Sequence, residues 1–463
     1  MFEPVRSINA SPLKKYFSSY WIRSAFFSFL QRFSLTVFGF INFIILIRSL
    51  SKPEMGLWAF FLVITNLFES TKSNLLKNAH IKFVAASEGE EKTAIASSSL
   101  VLNALISFVF IAFLFLFSGI LSNWLHTGKE LERMLLWFTP GMIALVFFSH
   151  LEAVSQSHLD FKSVFAGYFS RQVLFFLIIL WHKIYGVPFS MIYLPIYQSV
   201  SIVFGSLTLY FFGKRHLLYR FNPSREWINK ILGFGGYVFG SSVLSNIYTN
   251  VDQLMIAKIT ASNSMVASYN AAIRVSALVD IPSYAAAEIL LPKVSQVVKD
   301  GSEKVKYMYE RMVGILLCFT TPVALFIILF PNFVITFIAG PQYADSAPIL
   351  QLYMLIGIIR PVQNQAANIL LYIGKAKLSF ILNAFYLTLN LIMNYICLKQ
   401  FGFYGAAIGN VITCFVGTFI WYSVLRKNIG IDYNNIFRYV LFTYKTIYSR
   451  MGLALAKMKH VQV

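Results

Sequence analysis

Apolar runs of about 20 residues, each bounded by Gly, Pro or charge, recur from one end of the chain to the other. They predict about twelve helical spans, near 21–47, 56–82, 94–122, 134–156, 164–182, 189–213, 231–257, 266–291, 310–338, 346–372, 378–398 and 404–425. At about 1.5 Å of rise per residue, each is long enough to cross a hydrocarbon layer. The first run is too long for a cleavable signal peptide and contains Arg32. The loops leave no room for an extramembrane catalytic or ligand-binding domain. The pattern predicts an all-α integral membrane protein with about 12 transmembrane helices.

Composition agrees with the pattern. Of 463 residues, 57% are hydrophobic and 13% charged, and the mean hydropathy is +0.65. A soluble domain carries about 25% charge, so a soluble enzyme is excluded. The 17% aromatic content suits lipid-facing surfaces and interfacial belts. The three cysteines, Cys318, Cys397 and Cys414, lie inside apolar runs and form neither a metal spacing nor a disulfide framework. Phosphate-binding loops and zinc motifs are missing, so no catalytic residue, metal or cofactor is expected.

The net charge of +20 is best read against topology. With the N-terminus inside, most of the 39 Lys and Arg fall on cytoplasmic segments, including Lys214, Arg215, Arg220, Arg225 and Lys230 between the sixth and seventh spans. Only Arg48, Lys52, Lys129, Arg133, Lys183, Lys258 and Lys399 fall on the opposite side. The positive-inside rule therefore predicts that both termini are cytoplasmic. Basic clusters beside anionic membrane lipids need no nucleic acid to explain them.

Spans one to six and seven to twelve occupy nearly equal lengths, which suggests two pseudo-repeated six-helix bundles. The expected organisation is a cytoplasmic segment 1–20, a lobe 21–213, a basic linker 214–230, a second lobe 231–425 and a basic cytoplasmic tail 426–463. Within the tail, Tyr433 to Lys459 mixes apolar and basic residues as an interfacial helix does.

Ionisable residues inside spans are costly and point to function. Counted by helical rise, Arg32, Glu69, Lys72, Asp280 and Arg360 share a layer about 20–24 Å from the outer end. Asp252 and Arg274 lie nearer the outer side on adjacent antiparallel spans, at depths that allow a direct pair. Glu152 and Arg171 are matched in the same way. The shared layer holds more cations than anions, so complete internal pairing leaves positive charge over. An unpaired buried cation needs water or an anionic ligand, and the Arg fork suits phosphate. Arg32, Lys72, Arg274 and Arg360 are the candidates for holding a substrate diphosphate. Glu69, Asp252 and Asp280 are the candidates for a coupling ion or for charge partners. Pro282 follows Asp280 and Pro361 follows Arg360, and such breaks in membrane helices often border a cavity or hinge.

Three stretches carry a family resemblance. Ile47 to Ala59 holds Arg48, Leu50, Pro53, Glu54 and Gly56. Val251 to Ile256, Ser268 to Arg274, Ile281-Pro282 and Leu291 to Ser295 form a hairpin signature. Ile373 to Lys377, Leu389 to Asn394 and Phe401 to Ile408 follow in the same order. Together they resemble the polysaccharide-biosynthesis (O-antigen type) flippases of the multidrug/oligosaccharidyl-lipid/polysaccharide exporter superfamily. The resemblance implies two six-helix bundles around a central cavity and alternating access. The cargo it implies is an undecaprenyl-diphosphate-linked oligosaccharide, moved from the cytoplasmic to the periplasmic leaflet of the bacterial inner membrane. Ala267 departs from the Gly usual before Tyr269.

The expected partners are a polyprenyl-diphosphate-linked glycan, membrane lipids, a coupling proton or sodium ion, and the glycan polymerase machinery. Three alternatives compete with this reading. A drug-cation antiporter of the same superfamily would prefer an acidic cavity. A membrane-embedded glycan polymerase or ligase usually carries a large outer loop, and the outer loops here are short. A lipid-linked peptidoglycan-precursor flippase usually has fourteen spans.

Overall fold

The computed structural model describes residues 12–217, 220–283, 302–373 and 375–461. Residues 1–11, the expected end of the eighth span with Leu291 to Ser295, and Gly374 lie outside them. The described elements are all helical, and every expected span that falls on them falls on helix. The chain divides into two compact units, Met1–Val243 and Leu244–Val463.

Unit 1 holds α1 (Pro12–Ser49), α2 (Lys52–Ala86), α3 (Glu90–Trp124), α4 (Gly128–Trp137), α5 (Thr139–Ser157), α6 (Phe161–Tyr185), α7 (Tyr193–Gly213) and the start of α8 (Arg225–Thr260). The residues of the first motif begin α2. The Ser51 backbone N–H donates to Glu54 Oε2 at 2.8 Å and its hydroxyl donates to the same oxygen at 2.7 Å. Pro53 occupies the first turn, where its missing N–H costs nothing. The span expected at 134–156 is two helices, α4 and α5, bent by 41° where Pro140 opens α5.

Helix α3 is apolar on the outside and polar on the inside. Ser98, Asn103, Ser107 and Ser118 are buried, whereas Phe108 is 70% and Leu116 72% exposed. Water would reverse that pattern, and a hydrocarbon solvent rewards it. Inside unit 1, α6 packs on α1 and α7, while α5 packs on α2, α3 and α7.

Unit 2 continues α8 and adds α9 (Asn263–Ser276), a 3₁₀ turn at Ala277–Asp280, α10 (Ser302–Leu329), α11 (Pro331–Ala339), α12 (Ala347–Tyr372), α13 (Ala376–Phe401), α14 (Gly405–Ile429) and α15 (Tyr433–Val461). The span expected at 310–338 breaks at Pro331, between α10 and α11. Helix α12 packs on α9, α10 and α14, and α13 packs on α14.

Among the described residues, six helical stretches are long and apolar enough to cross a membrane, or seven with the bent α4–α5 pair. One of the six, Lys377–Ile429, contains both α13 and α14. The count falls below twelve because that stretch merges two expected spans, α9 has only 14 residues, and α2, α8 and α12 carry polar and charged residues such as Glu69, Lys72, Asp252, Gln253, Arg360 and Gln363.

The tail is helical as expected, and its first half packs on α10. Helix α15 runs lengthwise beside α10. The Asp432 backbone N–H donates to Glu310 Oε1 at 2.8 Å, Tyr439 packs against Gly314, and the Tyr444 hydroxyl donates to the Cys318 carbonyl at 2.8 Å. The contacts climb both helices together, because α10 offers α15 a buried carboxylate and a small residue one turn apart.

Candidate functional site

The buried charges on the expected spans include a group on α2, α5 and α6 in unit 1, and Asp280 and Asp252 with their partners in unit 2. In unit 1, Arg171 on α6 grips Glu69 on α2 with two parallel hydrogen bonds, Nη1 to Oε1 at 3.0 Å and Nη2 to Oε2 at 3.4 Å. This fork-to-carboxylate geometry is the strong form of an ion pair. It depends on a close crossing of α6 and α7. A Cβ on Gly205 would lie 2.9 Å from both the Arg171 Cβ and the Gly167 carbonyl oxygen, so only glycine lets the helices meet there. One face of the guanidinium lies 5.6 Å from the Phe148 ring centroid.

The expected pair of Glu152 with Arg171 is not formed. Glu152 accepts instead from Lys77 Nζ at 2.9 Å and from Gln156 Nε2 at 3.0 Å. Matched depth on helices adjacent in sequence was the wrong criterion. Helix α2 packs against α5 and supplies the partners that the α5–α6 hairpin was expected to supply to itself.

Lys72 is 2% exposed. Its ammonium donates to the Ser107 hydroxyl at 3.2 Å and to the Leu145 carbonyl at 3.5 Å, and it lies 5.2 Å from the Phe68 ring centroid. These acceptors are neutral, and Glu69, one turn earlier on α2, is engaged by Arg171. Arg32, on α1, is exposed in unit 1.

In unit 2, Arg360 forms an ion pair with Asp280. The 3₁₀ turn after α9 presents Asp280, and Arg360 precedes the in-helix Pro361 of α12. A switch to 3₁₀ winding inside a longer helical run frequently marks a hinge.

The second cluster surrounds Asp252 on α8. Its Oδ1 accepts from Asn394 Nδ2 at 2.6 Å, and its Oδ2 accepts from the Tyr269 hydroxyl at 2.8 Å and Asn410 Nδ2 at 2.8 Å. The Tyr353 hydroxyl completes the ring, 2.7 Å from that of Tyr269. Asn394 Oδ1 is buried beside this carboxylate and has no hydrogen-bond donor. The fit rests on Gly409 of α14, where a Cβ would come within 2.4 Å of Asn394 Oδ1. A carboxylate and an orphaned amide oxygen in one buried shell suit a proton or a small hard cation.

The expected pair of Asp252 with Arg274 is not formed either. Tyrosine and asparagine fill the shell of Asp252, and the Arg274 side chain is exposed on α9. Polar donors satisfy a buried carboxylate without bringing in a second charge that must also be desolvated. Sequence reasoning missed Asn410, Tyr353 and the role of Arg171. The spacing of Asn390 and Asn394 by one helical turn in an otherwise apolar span was the available signal.

Helices with apolar exteriors and paired or solvated charges within their spans define a multi-pass α-helical membrane protein. A sequence model described as polysaccharide biosynthesis protein matches residues 45–348, and the chain belongs to that family. An uncharacterized membrane protein of Methanocaldococcus jannaschii is 26% identical over 42% of this chain and 38% of its own length, so this chain spans well under half of that relative. The lipopolysaccharide biosynthesis protein WzxC of Escherichia coli K12 is 21% identical over 84% of this chain and 77% of its own. Among solved structures, the lipid II flippase MurJ in an inward closed conformation matches with a TM-score of 0.75 at 16% identity, covering 92% of each chain. That likeness extends the all-α architecture to nearly the whole length.

Proposed function

We propose that this protein is a transporter and not an enzyme. It moves a polyprenyl-diphosphate-linked oligosaccharide from the cytoplasmic to the periplasmic leaflet of a bacterial inner membrane by alternating access. Its product feeds surface polysaccharide assembly, of O-antigen or capsule, and both termini lie in the cytoplasm. Membership of a polysaccharide-biosynthesis family and the fold likeness to the lipid II flippase MurJ support this reading.

The observation that carries it is Lys72, a buried ammonium held by neutral oxygens. An ammonium has three donors, and neutral acceptors do not cancel its charge. A diphosphate would. In the described state the ammonium is closed off, so an anion reaches it only in a second state, as alternating access requires. Arg32, Arg274 and Arg360 are the further candidates for the diphosphate. For Arg360 the ligand competes with Asp280, and that competition links cargo binding to the turn after α9.

Glu69, Asp252 and Asp280 were the sequence candidates for coupling. Asp252 fits the role best, because Asn394 Oδ1 stands unsatisfied beside it. A proton or sodium ion bound there supplies the differential affinity that drives a switch. A drug-cation exporter would prefer an acidic cavity, and the buried cation Lys72 argues against that reading.

The test is transfer of a fluorescent polyprenyl-diphosphate oligosaccharide in proteoliposomes of purified protein, scored with a membrane-impermeant reagent. Protein-dependent transfer supports the proposal. No transfer under proton or sodium gradients, with folded protein and several glycans, overturns it.

A further inference from the structure

Four of the seven histidines, His80, His150, His158 and His216, line one cavity in unit 1. It lies where the ends of α2 and α5, the start of α3 and the segment after α7 meet. Its volume is about 110 Å³, ample for a small polar group and water. Lys92 and Arg220 complete the charged lining, and no carboxylate is part of it.

The acidic groups nearby already have partners, and two of them pair with the lining itself, Asp160 with His216 and Glu90 with Arg220. Glu152 is held by Lys77 and Gln156, Asp160 by Arg215, His216 and Ser163, and Glu90 by Arg220 at the exposed mouth. The deep wall is unsatisfied. His80 is 1% exposed, and both of its ring nitrogens lack a hydrogen-bond partner. Nδ1 of His150, whose ring lies edge-on to His80 at 5.9 Å, also lacks one. Buried polar atoms without partners are rare and need an explanation.

The shallow wall is poised for an anion as well. His158 Nδ1 lies 2.9 Å from the Val154 carbonyl, which fixes the proton on that nitrogen and leaves Nε2 to donate once the ring is charged. Its ring stacks on that of His216 at 4.8 Å. Asp160, whose Oδ2 lies 3.1 Å from His216 Nε2, is the anion beside this pair, and a second anion beside His158 would further lower the repulsion between two charged rings. Among the described residues no group of three or more His, Cys, Asp or Glu is arranged to hold a metal ion.

We propose that this cavity binds a single phosphate group through its four imidazoles, with Lys92 and Arg220 at the mouth. Lys72, Arg32, Arg274 and Arg360 are not part of the lining, so the site is separate from the proposed cargo site and does not depend on it. A dianion stabilises the imidazolium forms, so binding takes up protons and strengthens as pH falls. Without a ligand, burial, and beyond it the neighbouring His158, holds His216 below the usual imidazole range despite the pull of Asp160. In the proposed orientation the mouth opens at the cytoplasmic face. The phosphate there belongs either to a phosphomonoester lipid headgroup or to a soluble phosphate.

The experiment uses the full-length protein. Inorganic phosphate is titrated against detergent-solubilised protein by calorimetry at pH 6 and pH 8. In parallel, retention of phosphatidic acid from phosphatidylcholine nanodiscs is read by native mass spectrometry. His80→Gln probes the deep wall, and His158→Gln and Arg220→Gln probe the more exposed positions, where folding is safe. Affinity is expected to be about tenfold higher at pH 6 than at pH 8, and to fall by about tenfold in His80→Gln and His158→Gln. Binding of inorganic phosphate assigns a soluble ligand, and retention of phosphatidic acid alone assigns a lipid headgroup. Either outcome, lost in the variants, supports the site. No binding of either probe by folded wild-type protein overturns the proposal, as does binding unchanged in all three variants.

Discussion

Replacing Lys72 with Met separates a functional charge from a structural one. Methionine keeps the unbranched length and the contact with Phe68 while removing the ammonium. The lysine makes two hydrogen bonds to neutral acceptors, at 3.2 and 3.5 Å, whose length puts each at or below the low end of the about 1.5–3 kcal/mol of a bond to a charged group. Against them stands the desolvation of a nearly fully buried ion, roughly several kcal/mol, which the field of Glu69 offsets in part. The Leu145 carbonyl keeps a donor after the change, because Ser149 also reaches it, at 2.6 Å. The balance favours the variant by roughly 1–2 kcal/mol. For a unit of this size that raises the melting temperature by a few degrees, at about 2–4 °C per kcal/mol. Transport is expected to fall at least tenfold, since a contact to a charged group contributes about 1.5–3 kcal/mol. Melting of the purified protein and leaflet transfer in liposomes are measured on the same preparation. A melting temperature lowered by several degrees, with transport falling only as folded protein is lost, would make Lys72 a structural residue and refute the argument.

Glu69→Gln leaves Arg171 buried without its carboxylate and should cost roughly 2–4 kcal/mol, reduced somewhat by the 28% exposure of Glu69. The double variant Glu69→Gln with Arg171→Met should recover part of that loss in a thermal double-mutant cycle, and strict additivity would rule out coupling. Asp252→Asn should preserve downhill transfer but abolish its dependence on a sodium or proton gradient; an unchanged gradient response would exclude Asp252 as the coupling site. Gly205→Val should force α6 and α7 apart and cost about 1–3 kcal/mol, read as a lowered melting temperature. His216 is depressed in the folded protein, so its charged form is disfavoured there. Its contribution to stability is intact above the unfolded value of about 6.5 and falls as pH drops below it, so His216→Asn should flatten the decline of melting temperature below about pH 6.5.

The all-α architecture and the span positions were legible because a hydrocarbon solvent forces long apolar helices and leaves no other local solution. Breaks at Pro140 and Pro331 were visible as residues, but not as bends, since proline kinks depend on what packs against them. Which charges were buried was legible in part, and who pairs with whom was not. Arg171 finds Glu69 because α2 packs beside α5 and because Gly167 and Gly205 let α6 and α7 close up. Those are contacts of high sequence separation that depth along a span does not encode. Asp252 was singled out as a charge, while its neutral shell of Tyr269, Tyr353, Asn394 and Asn410 became visible only once α8, α9, α12, α13 and α14 were assembled.

The docking of α15 on α10 carries a consequence for synthesis. The partners that α10 meets at Glu310 and Cys318 are made 122 and 126 residues later. At ribosomal rates of about 5–20 residues per second, α10 waits roughly 6–25 s in the bilayer before they arrive. Throughout that interval Glu310, buried in the finished unit, lacks the backbone N–H of Asp432. Nascent chains stalled before this point therefore display an uncapped carboxylate and an open flank on α10. Docking of α15 removes both at once, so closure of that flank is a late step in the folding of unit 2.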